Sequence, residues 1–129
     1  MKTLIIITVL LQFITLNTLS QVNLRNSHWK GYIKELKNAE VKVDFKEDTV
    51  LFLYTYPIDQ QGVFTFTQHK DTLTIFKVSG PGGCPARSQG VYTIETIENG
   101  KKFLLHFVSD ECPDRINSLT SKPFERIYQ

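Results

Sequence analysis

Short runs with strand-like patterning, recurring about every 8 to 12 residues, restrict the fold of this chain more than any other feature. The clearest run, 40–46, places Val41, Val43 and Phe45 on one face and charged residues on the other. This alternation with a period of two is typical of a strand with one buried face. The predicted strands are 28–35, 40–46, 50–55, 62–68, 72–78, 91–97, 102–108 and 122–128.

The connections between these strands alternate between tight and long. Three are tight, and the one through Asn99-Gly100 suits a hairpin because both residues tolerate positive φ. The longer connections are 36–39, 56–61, 79–89 and 109–121, and residues 114–119 are expected to form a short helical turn. In an up-and-down meander, the connections after odd-numbered strands lie at one end and those after even-numbered strands at the other. In this chain all three tight turns follow even-numbered strands, so they share one end and the longer loops share the other. We therefore predict an all-β, eight-stranded antiparallel up-and-down barrel, whose closure removes exposed sheet edges.

The first 20 residues differ from the rest of the chain. Lys2 is their only charged residue, and it precedes an apolar run over residues 4–11 and small residues near Ser20. This layout is typical of a cleavable signal peptide. The alternative is a membrane anchor, but the apolar run is too short for one, because spanning a bilayer takes about 20 apolar residues. The sequence thus predicts a signal peptide, 1–20, and one mature domain, 21–129, exported to the periplasm or secreted, with no membrane span after cleavage.

Cys84 and Cys112 are the two cysteines of the chain. In an exported protein, an even count without catalytic spacing indicates one disulfide bond. Both lie in longer loops that the meander places at the same end. The bond closes a loop of about 29 residues, for which chain-entropy arguments give about 3.5 kcal/mol of stabilisation.

Mass spectrometry of the exported protein tests this compartment. We expect a mature start at or close to Gln21, with Cys84 and Cys112 joined and therefore protected from alkylation until they are reduced. A retained 1–20 segment, or two thiols that react without reduction, would contradict export.

The charge balance and motifs exclude several function classes. The net charge of +2 falls to +1 when Lys2 is removed, and the lysines are scattered, which does not favour nucleic acid. No nucleophile elbow or phosphate loop appears, and His28, His69 and His106 are too dispersed for a metal site. We expect a monomer that is not an enzyme and needs no cofactor or metal.

In a closed barrel the first and last strands are neighbours, so Arg126 would lie over the Trp29 indole at the tight-turn end as a cation–π pair. The chain resembles small secreted bacterial lipocalin-like, or calycin-type, barrels. The residues that carry the resemblance are Trp29 and Gly31, then Gly90-Val91-Tyr92, Phe103-Leu104-Leu105, the segment 110–115, and Phe124 with Arg126. The resemblance implies a barrel that binds a small apolar or amphipathic ligand. Ser27 stands where lipocalins usually carry a glycine two positions before the tryptophan.

Strand parity predicts that a set of large side chains points into the barrel. These side chains either fill the core or line an apolar pocket in which tyrosine hydroxyls anchor a ligand. These are Trp29, Ile33, Val43, Phe45, Phe52, Tyr54, Phe64, Phe66, Tyr92, Ile94, Phe103, Leu105 and Phe107. The ligand-binding candidates are Phe52, Tyr54, Tyr56, Phe64, Arg87, Tyr92 and Phe107, and the structural candidates are Trp29, Arg126 and Arg115. Asp114 is expected to cap a short helix, and Arg115 to pair with Asp110 or to lie across the loop of Cys84.

Two principal hypotheses follow. The first is an exported binding protein for a small hydrophobic ligand at the looped end. The alternative is a domain that binds an extracytoplasmic protein, such as a hydrolase inhibitor, through the 79–89 loop with Arg87 as an anchor. A third, weaker hypothesis is an enzyme that uses Asp110, Glu111 or His106. An interior cavity of about 300 Å³ or more favours the ligand, and a filled barrel with an ordered, exposed loop favours the protein partner.

Overall fold

A computed structural model describes residues 22–33 and 39–128 as a closed antiparallel barrel of eight strands. The strands are β1 (Ser27–Ile33), β2 (Ala39–Phe45), β3 (Thr49–Tyr54), β4 (Gln60–His69), β5 (Thr72–Ser79), β6 (Gln89–Ile97), β7 (Lys102–Asp110) and β8 (Phe124–Ile127). Each strand pairs with its neighbour in the sequence, and β8 closes the barrel against β1. Helix α1 (Asp114–Thr120) precedes β8. The predicted fold class is confirmed, whereas the predicted signal peptide lies outside the described residues.

The two ends of the barrel differ in the length of their connections. At the tight-turn end, residues 46–48, 70–71 and 98–101 join consecutive strands, and Asn99 and Gly100 both have the expected positive φ. At the looped end, the connections include residues 55–59, 80–88 and 111–123, the last of which contains α1. The predicted disulfide is confirmed, because Cys84 and Cys112 join two of these loops with their Cα atoms 5.6 Å apart.

Trp29 closes the tight-turn end. Its side chain is fully buried, and its ring packs edge-on against Phe103 with centroids 4.6 Å apart. The indole N–H donates to Ser27 Oγ at 2.6 Å, which satisfies its one polar atom. The expected Arg126 contact is present, with the guanidinium carbon 5.4 Å from the ring centre and the two residues in register on β1 and β8.

Residues 22–26 also cross the tight-turn end, a feature that the strand pattern did not predict. Leu24 is fully buried there and Val22 nearly so. The Gln68 side chain fixes the segment, since its amide oxygen accepts the Leu24 backbone N–H at 2.9 Å and its amide nitrogen donates to the Val22 carbonyl at 2.5 Å. The barrel is therefore covered at this end by the chain that leads into β1.

Side chains fill the barrel interior. The void among the core residues measures about 10 Å³, which is room for one water molecule at most. The predicted inward residues are largely buried, but Phe107 is 53% exposed, so its predicted burial is wrong. The reason is that β8 pairs with β7 only at Lys102 and Phe103, which leaves the far half of β7 without a strand beside it on that edge. Within the described residues, no helix is both long and apolar enough to cross a bilayer.

Candidate functional site

A partly open cavity of about 150 Å³ lies at the looped end, between the inner faces of β3 to β5 and helix α1. We call it the socket. Its apolar lining consists of Ile33, Phe52, Tyr54, Phe64, Ile75 and Leu119, and its polar lining of Lys77, residues 81–84, Asp114, Arg115 and Ser118. Three ligand-binding candidates, Phe52, Tyr54 and Phe64, therefore line the socket. Burial raises the pKa of the Tyr54 hydroxyl, which stays a neutral donor.

Lys77 brings a positive charge into the wall of the socket. The side chain points inward from β5 and the residue is only 6% exposed. Its ammonium donates to the backbone carbonyls of Cys84 at 2.8 Å, Gly82 at 3.2 Å and Pro81 at 3.4 Å. No carboxylate in the described ranges lies within ion-pair distance of it. Because buried charges are normally paired, an ammonium held by carbonyl dipoles alone is an unusual feature of the wall.

The same lysine organises the loop that follows β5. Its three acceptors are the carbonyls of Pro81, Gly82 and Cys84, so one side chain fixes most of this short segment. The disulfide at Cys84 fixes the same segment to the chain that precedes α1. Residues 80–83 and 85–87 are nevertheless exposed, so the loop is held in shape while its outer face remains accessible.

A shallow groove of about 260 Å³ adjoins the socket. The two share Tyr54, Pro81 and Gly82, and the groove continues over Tyr56, Pro57 and Gln60. Tyr56, another ligand-binding candidate, is 45% exposed and belongs to this groove rather than to the barrel interior.

Beside the socket, Asp110 and Arg115 form a buried ion pair. Arg115 Nε donates to one carboxylate oxygen at 2.7 Å and Nη2 to the other at 2.8 Å, while the same guanidinium donates to the Ser88 carbonyl at 3.1 Å. Tyr92 donates its hydroxyl hydrogen to Asp110, and the Cys112 backbone N–H donates to it at 2.7 Å. Tyr92 is thus engaged in this network and does not line the socket.

The network shifts the pKa values of Asp110 and Tyr92 in opposite directions. Burial favours the neutral form of Asp110, but hydrogen bonds from Arg115, Tyr92 and the Cys112 N–H outweigh it and hold its pKa below the ordinary 3.8. Burial, then the bond to Asp110, strongly raises the pKa of Tyr92. Gly90 makes room for this arrangement, because a Cβ there would lie 2.6 Å from Asp110 Oδ2.

The prediction that Asp114 caps the helix is wrong. Pro113 occupies the position before α1, and no side chain caps the helix start.

Large apolar side chains are exposed mainly at the looped end. Among the described residues, seven are exposed, and only Tyr128 of these lies at the tight-turn end. The other six lie on loop 55–59 or on the halves of β5 and β7 nearer the looped end, and we call them the rim patch: Tyr56, Ile58, Phe76, Val78, Phe107 and Val108. Arg87, the remaining ligand-binding candidate, is exposed on the 80–88 loop outside the socket and the groove.

The three residues of the enzyme hypothesis have separate partners. His106 faces outward and pairs with Glu95, with both side chains 53% exposed. Asp110 is buried against Arg115, and Glu111 accepts the Gln89 backbone N–H at 3.1 Å. His106 and Glu95 border an open depression of about 450 Å³ near the tight-turn end, with Lys70 and Asp71. This depression is larger than the socket, and both polar and apolar side chains line it, among them Gln68, Val22 and Ile94.

Comparisons with protein-family models, with curated proteins and with solved structures gave no match to this chain. The closed barrel is the architecture that the lipocalin-like resemblance implies, and no family assignment follows beyond it.

Proposed function

We propose that this protein binds a protein partner through the looped end of the barrel. The observation that carries the proposal is the rim patch: six of the seven exposed large apolar side chains of the described residues lie in the half of the barrel that holds the looped end. Clustered apolar side chains on a soluble domain mark interaction surfaces, whereas scattered ones do not. The opposite end is covered by short turns, Trp29 and residues 22–26.

The filled interior supports a protein partner over a ligand enclosed by the barrel. Pockets for drug-sized molecules usually measure about 300–1,000 Å³. The socket measures about 150 Å³ and the void beneath it about 10 Å³. A loop already fixed by Lys77 and the disulfide loses little entropy when a partner binds, which is how rigid recognition loops gain affinity.

In its finer form, the proposal is an exported, lipocalin-like domain whose 79–89 loop contacts an extracytoplasmic protein, such as a hydrolase that it inhibits. The disulfide is compatible with an oxidising compartment. Arg87 stands exposed on that loop, where an arginine serves as a polar anchor.

A small apolar or amphipathic ligand is the second candidate. The observation in its favour is that socket and groove adjoin through Tyr54, Pro81 and Gly82, so that one elongated molecule would reach both. Such a ligand would lie across the mouth of the barrel and not inside it.

Photo-crosslinking tests the proposal. A benzoylphenylalanine at position 78, in the rim patch, is expected to give one saturable adduct in exported fractions of the source cells, which excess unlabelled protein suppresses. The same group at position 99, at the tight-turn end, is expected to give none. Equal labelling from both positions, or no adduct from position 78, would contradict a protein partner at the looped end.

Once that partner is purified, Tyr56→Ala and Arg87→Ala are expected to weaken its binding about tenfold or more if these residues are interface anchors. Both side chains are exposed, so the midpoint of thermal unfolding should change little. His69→Ala and Asn99→Gly at the opposite end are the matched controls and should leave the dissociation constant unchanged. If only the two control variants lost binding, the functional surface would lie at the tight-turn end, and the proposal would be wrong.

A further inference from the structure

We propose that the socket receives one aromatic side chain, the size of phenylalanine, from an extended segment of the partner; this inference rests on the proposed function. An apolar cavity of about 150 Å³ is large enough to hold benzene. The socket has that volume, lies partly open to solvent and opens at the same end of the barrel as the rim patch. One buried anchor surrounded by apolar contacts that exclude water is the usual arrangement of an interface hot spot.

The walls favour a ring over an aliphatic group. Phe52 and Phe64 already pack edge to face, with centroids 5.1 Å apart and planes at 69°, and present aromatic surface to an incoming ring. Ile33 and Leu119 complete the apolar lining. Lys77 also lines the socket, and a cation attracts the face of an aromatic ring but gives nothing to a saturated ring of equal size.

The adjoining groove gives the partner segment a path. It begins at Tyr54 and continues over Tyr56 and Pro57, so the residues next to the anchor would lie on aromatic and proline surface. A strand advances about 3.3 Å per residue, which lets neighbouring side chains of an extended segment reach the socket and the groove separately. A small aromatic molecule would fill the socket alone and gain nothing from the groove or the rim patch.

Binding of toluene and methylcyclohexane, two probes of similar size, tests the chemistry of the socket. Backbone amide chemical shifts of the folded protein, followed by NMR, report the site and the affinity. We expect toluene to shift the signals of residues around Tyr54 and Leu119 and to bind about threefold or more tighter than methylcyclohexane. Equal affinities would overturn the aromatic preference, and no shifts at these residues would overturn the socket as a ring-binding site.

Two variants fill the socket from opposite sides. Ser118→Phe does so from α1, and Gly83→Leu does so from the loop, where a Cβ meets nothing nearer than Asp114 Oδ2 at 3.7 Å. Each is expected to weaken toluene binding about tenfold or more. Asn117→Phe, on the exposed side of the same helix, is the matched control and should bind toluene like the wild type. Toluene binding that survives both filling variants would overturn the proposal.

The crosslink from position 78 separates this proposal from the proposed function. If the partner uses the socket, Ser118→Phe and Gly83→Leu should each reduce the adduct to a small fraction of the wild-type yield, and Asn117→Phe should not. An unchanged yield from both filling variants would show that the protein interaction exists without the aromatic anchor. If the wild type binds toluene but gives no adduct, the socket is a site for aromatic rings, but a protein partner does not supply the ring.

Discussion

Trp29→Ala is expected to lower the free energy of unfolding by about 3–5 kcal/mol, as deletion of large buried aromatic side chains does. The ring is fully buried against Phe103 and under Arg126, so its removal leaves a cavity at the closed end of the barrel. Chemical denaturation followed by far-UV circular dichroism measures the loss, because Trp29 is the only tryptophan and the variant has no indole fluorescence.

Two neighbouring residues serve as controls for Trp29. Tyr128→Ala should change the unfolding free energy by less than about 0.5 kcal/mol, since that ring is 71% exposed although it also contacts Arg126. Arg126→Ala removes the exposed cation from the indole and should cost about 0.5–1 kcal/mol. A cost below about 1 kcal/mol for Trp29→Ala itself would show that this residue does not close the barrel.

Arg115→Met should also destabilise the fold by about 3–5 kcal/mol at neutral pH, because it leaves the Asp110 carboxylate buried without its cation. The side chain of Asp110 is fully buried and that of Arg115 nearly so, and Tyr92 and the Cys112 N–H cannot replace the lost charge. Urea unfolding at pH 7 measures the effect. In the double variant Arg115→Met/Asp110→Asn, most of the loss should be recovered, because no unpaired charge remains.

The pH dependence of this prediction has a defined sign. In the wild type the pKa of Asp110 lies below its ordinary 3.8, so the carboxylate stabilises the fold above about pH 4, and this contribution is lost as the pH falls through the lowered value. Without Arg115, burial dominates and the folded protein favours the protonated acid. The stability difference between wild type and Arg115→Met should therefore begin to shrink at a pH above the ordinary value of 3.8, where the folded variant takes up its proton, and should go on shrinking as the pH falls through the lowered pKa of the wild type. A difference that is constant from pH 7 to pH 3 would contradict the role assigned to the ion pair.

Local patterns were enough to predict the barrel. The period-two alternation of β2 defines its buried face, and the division into short and long connections defines which loops share an end. That division placed Cys84 and Cys112 at one end, and closure of the barrel placed Trp29 beside Arg126. These predictions succeeded because an up-and-down meander links neighbours in sequence to neighbours in space.

The site was harder to predict because it depends on exceptions to the pattern. Lys77 follows Leu73 and Ile75 at alternate positions of β5, so parity alone points it inward, but a lysine is rarely buried without a carboxylate partner. Phe107 has inward parity and is exposed because β8 is too short to cover the end of β7. The size of the socket depends on Leu119 of α1, whose position over the mouth is a matter of tertiary packing.

The chain enters the described barrel at Val22 and leaves it at Tyr128, and both positions belong to the tight-turn end. A fluorophore, affinity tag or surface linker joined to either end of the barrel would therefore stand on the side away from the socket and the rim patch. Immobilised in this way, every molecule would present the same open mouth to the solution. The barrel thus has the geometry of an oriented display scaffold, in which loop 55–59 and the exposed residues 85–87 can be varied while the attachment side remains unchanged.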